Sequence, residues 1–297
     1  MLHQRSHFYK YYTGSSALAV LQNSTTKWSA PRHFNDPFDM PSRMSYSFSG
    51  EEAAQELIDE LVFSAFGTSP VIGDPNNKYV QLLKIFRFLP NKPPEKKFRE
   101  ILSSSIEEVS HAFSAYKEES NQKLKSVRND LAVFCVTETY NNLLMWAHYA
   151  QNHTGCVFRF SCLEACSPRL HYAQKVKYVE QFPEILRRSD FVKKLLGHSG
   201  LDPTPRELTN MFLLSKSTHW SYEQEWRAIF SLEDTETGFD FHPLNSNDID
   251  EIYIGCMADD QFVKIIYDIV ENSYPHISLF KANIDVQKYS LNFERIR

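Results

Sequence analysis

The chain has 297 residues, a net charge of −5 and 14% aromatic residues, with 22 Phe and 15 Tyr against only 9 Gly. That bulk excludes a disordered or repetitive chain and supplies a sizeable core. So small an average charge excludes recognition of nucleic acid or anionic membrane through the field of the whole molecule and leaves that task to a local basic groove. No apolar run reaches the roughly 18 residues of a membrane span, so no membrane partner is expected. The opening MLHQRSHFYKYY lacks the apolar core of a signal peptide, and the cysteines Cys135, Cys156, Cys162, Cys166 and Cys256 are odd in number. Both point to a reducing, cytoplasmic location. Cys162 and Cys166 are four apart, but no partner pair follows at zinc-like spacing, so they read as inert thiols and no metal is expected.

In chain order, His7 to Tyr12 reads as a strand, Ser15 to Leu21 as a short helix and Thr25 to Ser29 as a second strand. The polar, aromatic loop PRHFNDPFDMPSR follows. From Glu51 to about Arg128 the apolar residues recur at three and four with Lys and Glu between them, and NNK and PNKPP are the breaks. That periodicity predicts amphipathic helices. Beyond Arg128 the short runs LAVFCVT, GCVFRFS, KVKYVE, EWRAIFSL, IDEIYIG and HISLFKANI predict strands. NNLLMWAHYAQ, RELTNMFLLSK and DDQFVKIIYDIVEN predict helices between them. The class is α+β. Residues 1–297 read as a single domain with sheets drawn from both ends of the chain and residues of about 50–126 inserted as a helical layer; a separate helical domain is the alternative.

Four clusters could carry chemistry. FYKYYTGSSALAVLQNSTTKWSAPRHFNDPFD joins an aromatic strand to a small-residue helix and ends in an acidic turn, which an edge strand with a cap and turn also explains. In MWAHYAQNHTG, helical spacing groups Met145, His148, Tyr149 and Asn152 on one face with Trp146 beside them, as in a core aromatic stripe. FCVTET brings small hydroxyls to a strand end. In WSYEQEWRAIF, strand alternation sets Glu223, Glu225 and Arg227 on one face; a salt bridge between Glu225 and Arg227 or another base is the plain explanation. No phosphate loop, HExxH or GxSxG is present.

YKYY, FNDPF, LLMWAHYAQNHTG, KSTHWSYEQEWR and IYIG, in that order, resemble a family of bacterial proteins of unknown function, several of them near phage-defence genes. More distantly the chain resembles ADP-ribosyltransferases of the DarT, RNA 2′-phosphotransferase and poly(ADP-ribose) polymerase type. In those enzymes a Tyr-His strand, a helix ending in an Ile-Leu pair, an aromatic middle motif and a late strand opened by Glu recur. Tyr9-Lys10, Val20-Leu21 and Glu225 to Phe230 match that pattern, with Lys10 in place of the histidine that bonds the adenosine ribose; a lysine also donates to ribose hydroxyls.

The resemblance implies a core of two packed, mostly antiparallel sheets and NAD as a substrate. It makes Glu225 the carboxylate that steadies an oxocarbenium-like ribose and Glu223 the group that positions or deprotonates the acceptor. Tyr9, Lys10, Tyr11, Asn35 and Asp36 would line the dinucleotide. Trp146 and Tyr149 would wall the nicotinamide, and Arg32 and Arg43 would grip the diphosphate. The expected activity is that of an intracellular toxin in phage defence that modifies RNA or DNA, restrained by an antitoxin or other inhibitory protein or served by a chaperone. The alternatives are a non-catalytic sensor or scaffold of a defence system, and a nuclease.

Overall fold

The computed structural model describes residues 3–68, 72–162 and 169–297; Cys166 lies outside them. The elements along the chain are β1 (His7–Tyr12), α1 (Gly14–Asn23), β2 (Thr25–Ser29), α2 (Gly50–Phe66), α3 (Lys78–Phe88), α4 (Glu95–Ser103), α5 (Ile106–Asp130), β3 (Leu131–Thr137), α6 (Leu143–Tyr149) and β4 (Cys156–Ser161). Then come β5 (Gln174–Lys175), β6 (Lys177–Val179), α7 (Arg188–Leu195), α8 (Pro205–Leu213), β7 (Ser215–Ser217), β8 (Glu225–Ser231), β9 (Phe239–Pro243), β10 (Ile249–Ile254), α9 (Asp260–Ser273), β11 (Ser278–Ile284) and β12 (Leu291–Arg295). The class is α+β, with a large, mostly antiparallel sheet. Among the described residues no helix is long and apolar enough to cross a membrane.

The chain divides into two compact units. The β-rich unit holds residues 1–40, 128–181 and 212–297, and the helical unit holds 41–127 and 182–211. The block of about 50–126 is thus helical through α2 to α5, and α7 from farther along the chain joins it. In that unit the Ser49 hydroxyl caps α2 while the Glu52 carboxylate returns to the Ser49 amide at 2.7 Å, a capping box that starts the helix where the apolar spacing begins. Phe48, Leu57, Leu61, Leu83, Phe86, Phe98 and Phe113 fill its core with Phe191 from α7.

In the β-rich unit, among the described residues, ten strands form one sheet in the order β12-β11-β10-β4-β1-β3-β2-β9, with β8 and β5 branching from β3; β6 and β7 form a separate parallel pair. The two packed sheets implied by the resemblance are here one continuous hydrogen-bonded system. The branch point decides the site. β3 pairs with β8 over its full length, from Leu131↔Ser231 to Thr137↔Glu225, yet meets β2 only at Val133↔Ser29 and β1 only at Thr137↔Tyr9. Thr137 is therefore the cross-strand neighbour of both Tyr9 and Glu225. Between the two points where β1 and β2 part from β3, the Lys10 ammonium bonds the Cys135 carbonyl at 2.6 Å.

Alternation along β1 sends Phe8 and Tyr12 to the main core with Trp28, Phe134, Phe158 and Ile252, where α1 adds Ala17 and Leu21 and α9 adds Ile266 and Val270. Tyr9 and Tyr11 go to a second cluster with Met145, Trp146, Val157 and Tyr253. The IYIG and QNHTG segments meet beside it. The Gly255 amide, at the end of IYIG, bonds the Gly155 carbonyl of QNHTG at 2.9 Å. A Cβ on Gly255 would stand 2.0 Å from the His153 carbonyl oxygen, so only glycine allows this approach.

Candidate functional site: a small cleft with a buried charge network

A cleft of about 160 Å³ in the β-rich unit is bordered by Tyr9, Lys10 and Tyr11 from β1, Phe34, Asn35 and Asp39 from the loop after β2, Cys135 to Thr137 from β3, Met145 and Tyr149 from α6, and Lys216, Glu223 and Glu225. Its walls are held by capping chemistry. The Asn142 side chain accepts the Leu144 and Met145 amides to begin α6 and donates to the Tyr222 carbonyl at 3.1 Å, tying the helix to the turn that carries Glu223. From the other side the Thr137 hydroxyl donates to the Glu223 carbonyl at 2.5 Å. Thr137 comes from FCVTET, the motif with least to recommend it alone.

Glu223 and Glu225 do converge, though not by strand alternation. Glu223 ends a 3-10 turn spanning Thr218–Glu223, Gln224 adopts a left-handed conformation with φ 46°, and β8 begins only at Glu225. The repulsion between the two carboxylates is answered by Lys216, whose ammonium lies 2.5 Å from Glu223 Oε2 and 3.1 Å from Glu225 Oε2. Arg227 contributes the second cation. Its Nε and Nη2 reach Glu225 at 2.8 and 3.0 Å, Nη2 reaches Asp39 Oδ2 at 2.6 Å, and Nη1 bonds the Leu213 carbonyl at 3.0 Å. The salt bridge of Glu225 to Arg227 is therefore real, but it belongs to a network of three carboxylates and two cations. All five groups are buried, Arg227 completely.

The two glutamates are driven in opposite directions. Burial alone would raise the Glu225 carboxyl, but the charges of Arg227 and Lys216 outweigh it and hold the group well below the usual carboxylate range. Burial raises Glu223 against the pull of Lys216, and the charge of Glu225 adds to the rise. Glu223 Oε1 accepts the Tyr149 hydroxyl. Burial lowers the Lys10 ammonium, only partly offset by Cys135 and Glu225; its Nζ lies 4.3 Å from the centre of the Phe134 ring.

Of the residues expected at the site, Glu225, Glu223, Tyr9, Lys10, Tyr11, Asn35 and Tyr149 border the cleft. Three do not. Trp146 is fully buried, with its indole N–H on the Tyr140 carbonyl at 2.8 Å and its ring edge-to-face with Tyr11, so it is core and not a wall. Arg32 spends its guanidinium on the carbonyls of Thr235 and Glu236 at 2.7 and 3.0 Å and fastens that loop. Asp36 takes the Phe38 amide at 2.9 Å and builds the turn that presents Asp39. Arg43 is an exposed residue of the helical unit.

Lys216 and Asp39 were missed. The expected helix RELTNMFLLSK ran through Lys216, whereas α8 ends at Leu213 and Lys216 lies on β7. A signal was present for each. Two glutamates beside a single arginine leave one negative charge unmatched, which calls for another cation, and FNDPFD holds two aspartates of which only one can build the turn.

A protein family of unknown function, DUF2971, matches residues 145–228. That stretch contains Tyr149, Lys216, Glu223, Glu225 and Arg227, but not the β1, Asp39 and Thr137 sides of the cleft. No curated protein and no solved structure matches the chain.

Proposed function

We propose that the protein cleaves NAD at the bond between nicotinamide and ribose and transfers the ADP-ribosyl group to an acceptor. The observation that carries this reading is the pair of carboxylates at one small cleft, one held ionised and the other pushed upward, since such a divergence separates an electrostatic role from a proton-accepting one. Glu225, kept charged by Arg227 and Lys216, steadies the positive charge that develops on the ribose as the C1′–N bond breaks and its electron pair leaves with nicotinamide. An acceptor oxygen then bonds C1′, and its proton passes to Glu223. Tyr9 and Tyr149 border this centre, Tyr149 with its hydroxyl on Glu223. At about 160 Å³ the cleft is smaller than the roughly 300–1,000 Å³ of sites that enclose a drug-sized ligand, so it takes the nicotinamide end and leaves the rest of the dinucleotide outside. A nucleic-acid acceptor, a toxin role in phage defence and a restraining protein partner follow from the resemblance to DarT-type enzymes and are part of the proposal.

The full commitment of Arg227 to Glu225, Asp39 and Leu213 favours a second reading, a binding module in which the network only fixes the loop ends. Incubation with adenylate-labelled NAD and separate pools of RNA, DNA and protein decides between them. Label transfer is expected to fall about a hundred-fold to a thousand-fold in Glu225→Gln, while Glu223→Gln loses acceptor transfer more than NAD cleavage. Absence of NAD consumption by the unaltered protein, or equal rates in Glu225→Gln, leaves the binding-module reading.

A further inference from the structure

Among the described residues β12 is an end strand of the large sheet, paired with β11 on one side and open on the other. Its register runs from Ile284↔Leu291 to Phe280↔Arg295. At the turn the Asp285 amide reaches the Ser290 carbonyl at 3.1 Å, and past the far end the Ile296 amide reaches the Leu279 carbonyl at 2.9 Å. In an antiparallel pair, residues that bond the neighbour alternate with residues that turn their backbone groups away from it. The even-numbered residues of β12 therefore serve β11, while Leu291, Phe293 and Arg295 turn their N–H and C=O groups to the open edge. Such an edge is a ready template for another strand. Beside it Tyr289 is 100% exposed and Val286 95%. Their turn is firmly built, because Asp285 takes the Gln287 and Lys288 amides at 2.8 and 3.2 Å.

We propose that β12 pairs antiparallel with β12 of a second copy of this chain, about a two-fold axis at Asn292. An axis normal to the sheet keeps opposed side chains on the same face only when it passes through a residue. Centred on Glu294, the pair would set that carboxylate against its own copy. Centred on Phe293, it would set Leu291 against the partner's Arg295, an apolar side chain against a charge. Centred on Asn292, it sets Leu291 against the partner's Phe293, so residues of the open edge bond one another and two apolar side chains meet. Arg295 then comes beside the partner's Tyr289, where a guanidinium covers an aromatic ring that is otherwise wholly in water. No like charges are opposed, and symmetry makes each of these contacts twice. The inference stands apart from the NAD reading.

Cysteine crosslinking of the whole protein tests the register. In Asn292→Cys the two introduced residues face each other across the axis with Cβ atoms about 4.5–5.5 Å apart, close to the span of a disulfide. Mild oxidation is expected to give a covalent dimer as the main product on a non-reducing gel. Glu294→Cys, on the same exposed strand but four residues from its copy along the pair, is expected to stay at the level of the unaltered protein. Sedimentation equilibrium without any introduced cysteine is expected to show a concentration-dependent dimer. Tyr289→Ala, at a fully exposed position, should weaken that dimer about tenfold through two lost cation–π contacts. A monomer throughout the micromolar range, equal crosslinking in the two cysteine variants, or a dimer unmoved by Tyr289→Ala overturns the proposal.

Discussion

The helical unit and the β-rich unit draw on the same charged side chains and treat them oppositely. In the helical unit Arg99 pairs with Asp59 and Glu95, and Lys123 with Glu119, on solvated faces where both partners keep a large share of their surface. In the β-rich unit Asp39, Lys216, Glu223, Glu225 and Arg227 are all buried in mutual contact. Exposed pairs gain little because water screens them. Buried pairs forfeit hydration, and apolar replacements of similar volume often serve stability as well or better. The five-member network beside the cleft therefore keeps charge where burial makes it costly, while the helical unit carries charge for solvation.

That contrast has a scale. Arg227→Ala should lower unfolding free energy by about 3–5 kcal/mol in urea titrations, because Glu225 and Asp39 are left buried without their cation; a loss below about 1 kcal/mol would put the network in the same class as the surface pairs. Gly255→Ala should cost about 1–3 kcal/mol, seen as a lower thermal midpoint, since the new methyl meets the His153 carbonyl. An unchanged midpoint would mean the QNHTG turn yields freely.

The pH dependence separates the two glutamates by sign. The depressed Glu225 contributes stability that is present above its unfolded value of about 4.3 and is lost as pH falls below it. The raised Glu223 binds its proton more tightly when folded, so its contribution declines as pH rises from about 4.3 through its elevated folded value. Relative to the unaltered protein, Glu225→Gln should flatten the acid limb and Glu223→Gln the decline above it, followed by denaturant midpoints across pH. Matching profiles for the two variants would contradict the opposite shifts. The smallest effect belongs to the helical unit: Lys123→Ala, on a solvated helix face, should leave the urea midpoint unchanged within error.

Local pattern revealed most of the scaffold and about half of the cleft. β1 and β2 occur where aromatic and β-branched residues predict them, and α2 to α5 follow the three-and-four spacing of their apolar residues. β9 and β12 were not expected, because FDFHP and LNFER each offer only two large apolar residues in five, too short an alternation to tell from loop until a neighbour pairs with them. Trp146 was misplaced for a related reason. Helical spacing set it beside Tyr149, but the side of the helix that faces solvent is chosen by the strands beneath, and Tyr11, His153 and the Tyr140 carbonyl enclose its indole.

By itself the sequence determined the α+β class, the helical character of the block after Glu51, and the unusual presence of two glutamates near Arg227. Those properties depend on periodicity and composition within short windows. The tertiary structure decided the partners. Lys216 reaches the glutamates because α8 stops at Leu213 and β7 turns it inward; Asp39 is brought to Arg227 by the turn that Asp36 builds. Tyr9 meets Glu225 through Thr137, across more than two hundred residues of chain. Charge balance in a buried site is a property of contacts between distant segments, and the strength of each contact depends on how much water the rest of the fold has excluded.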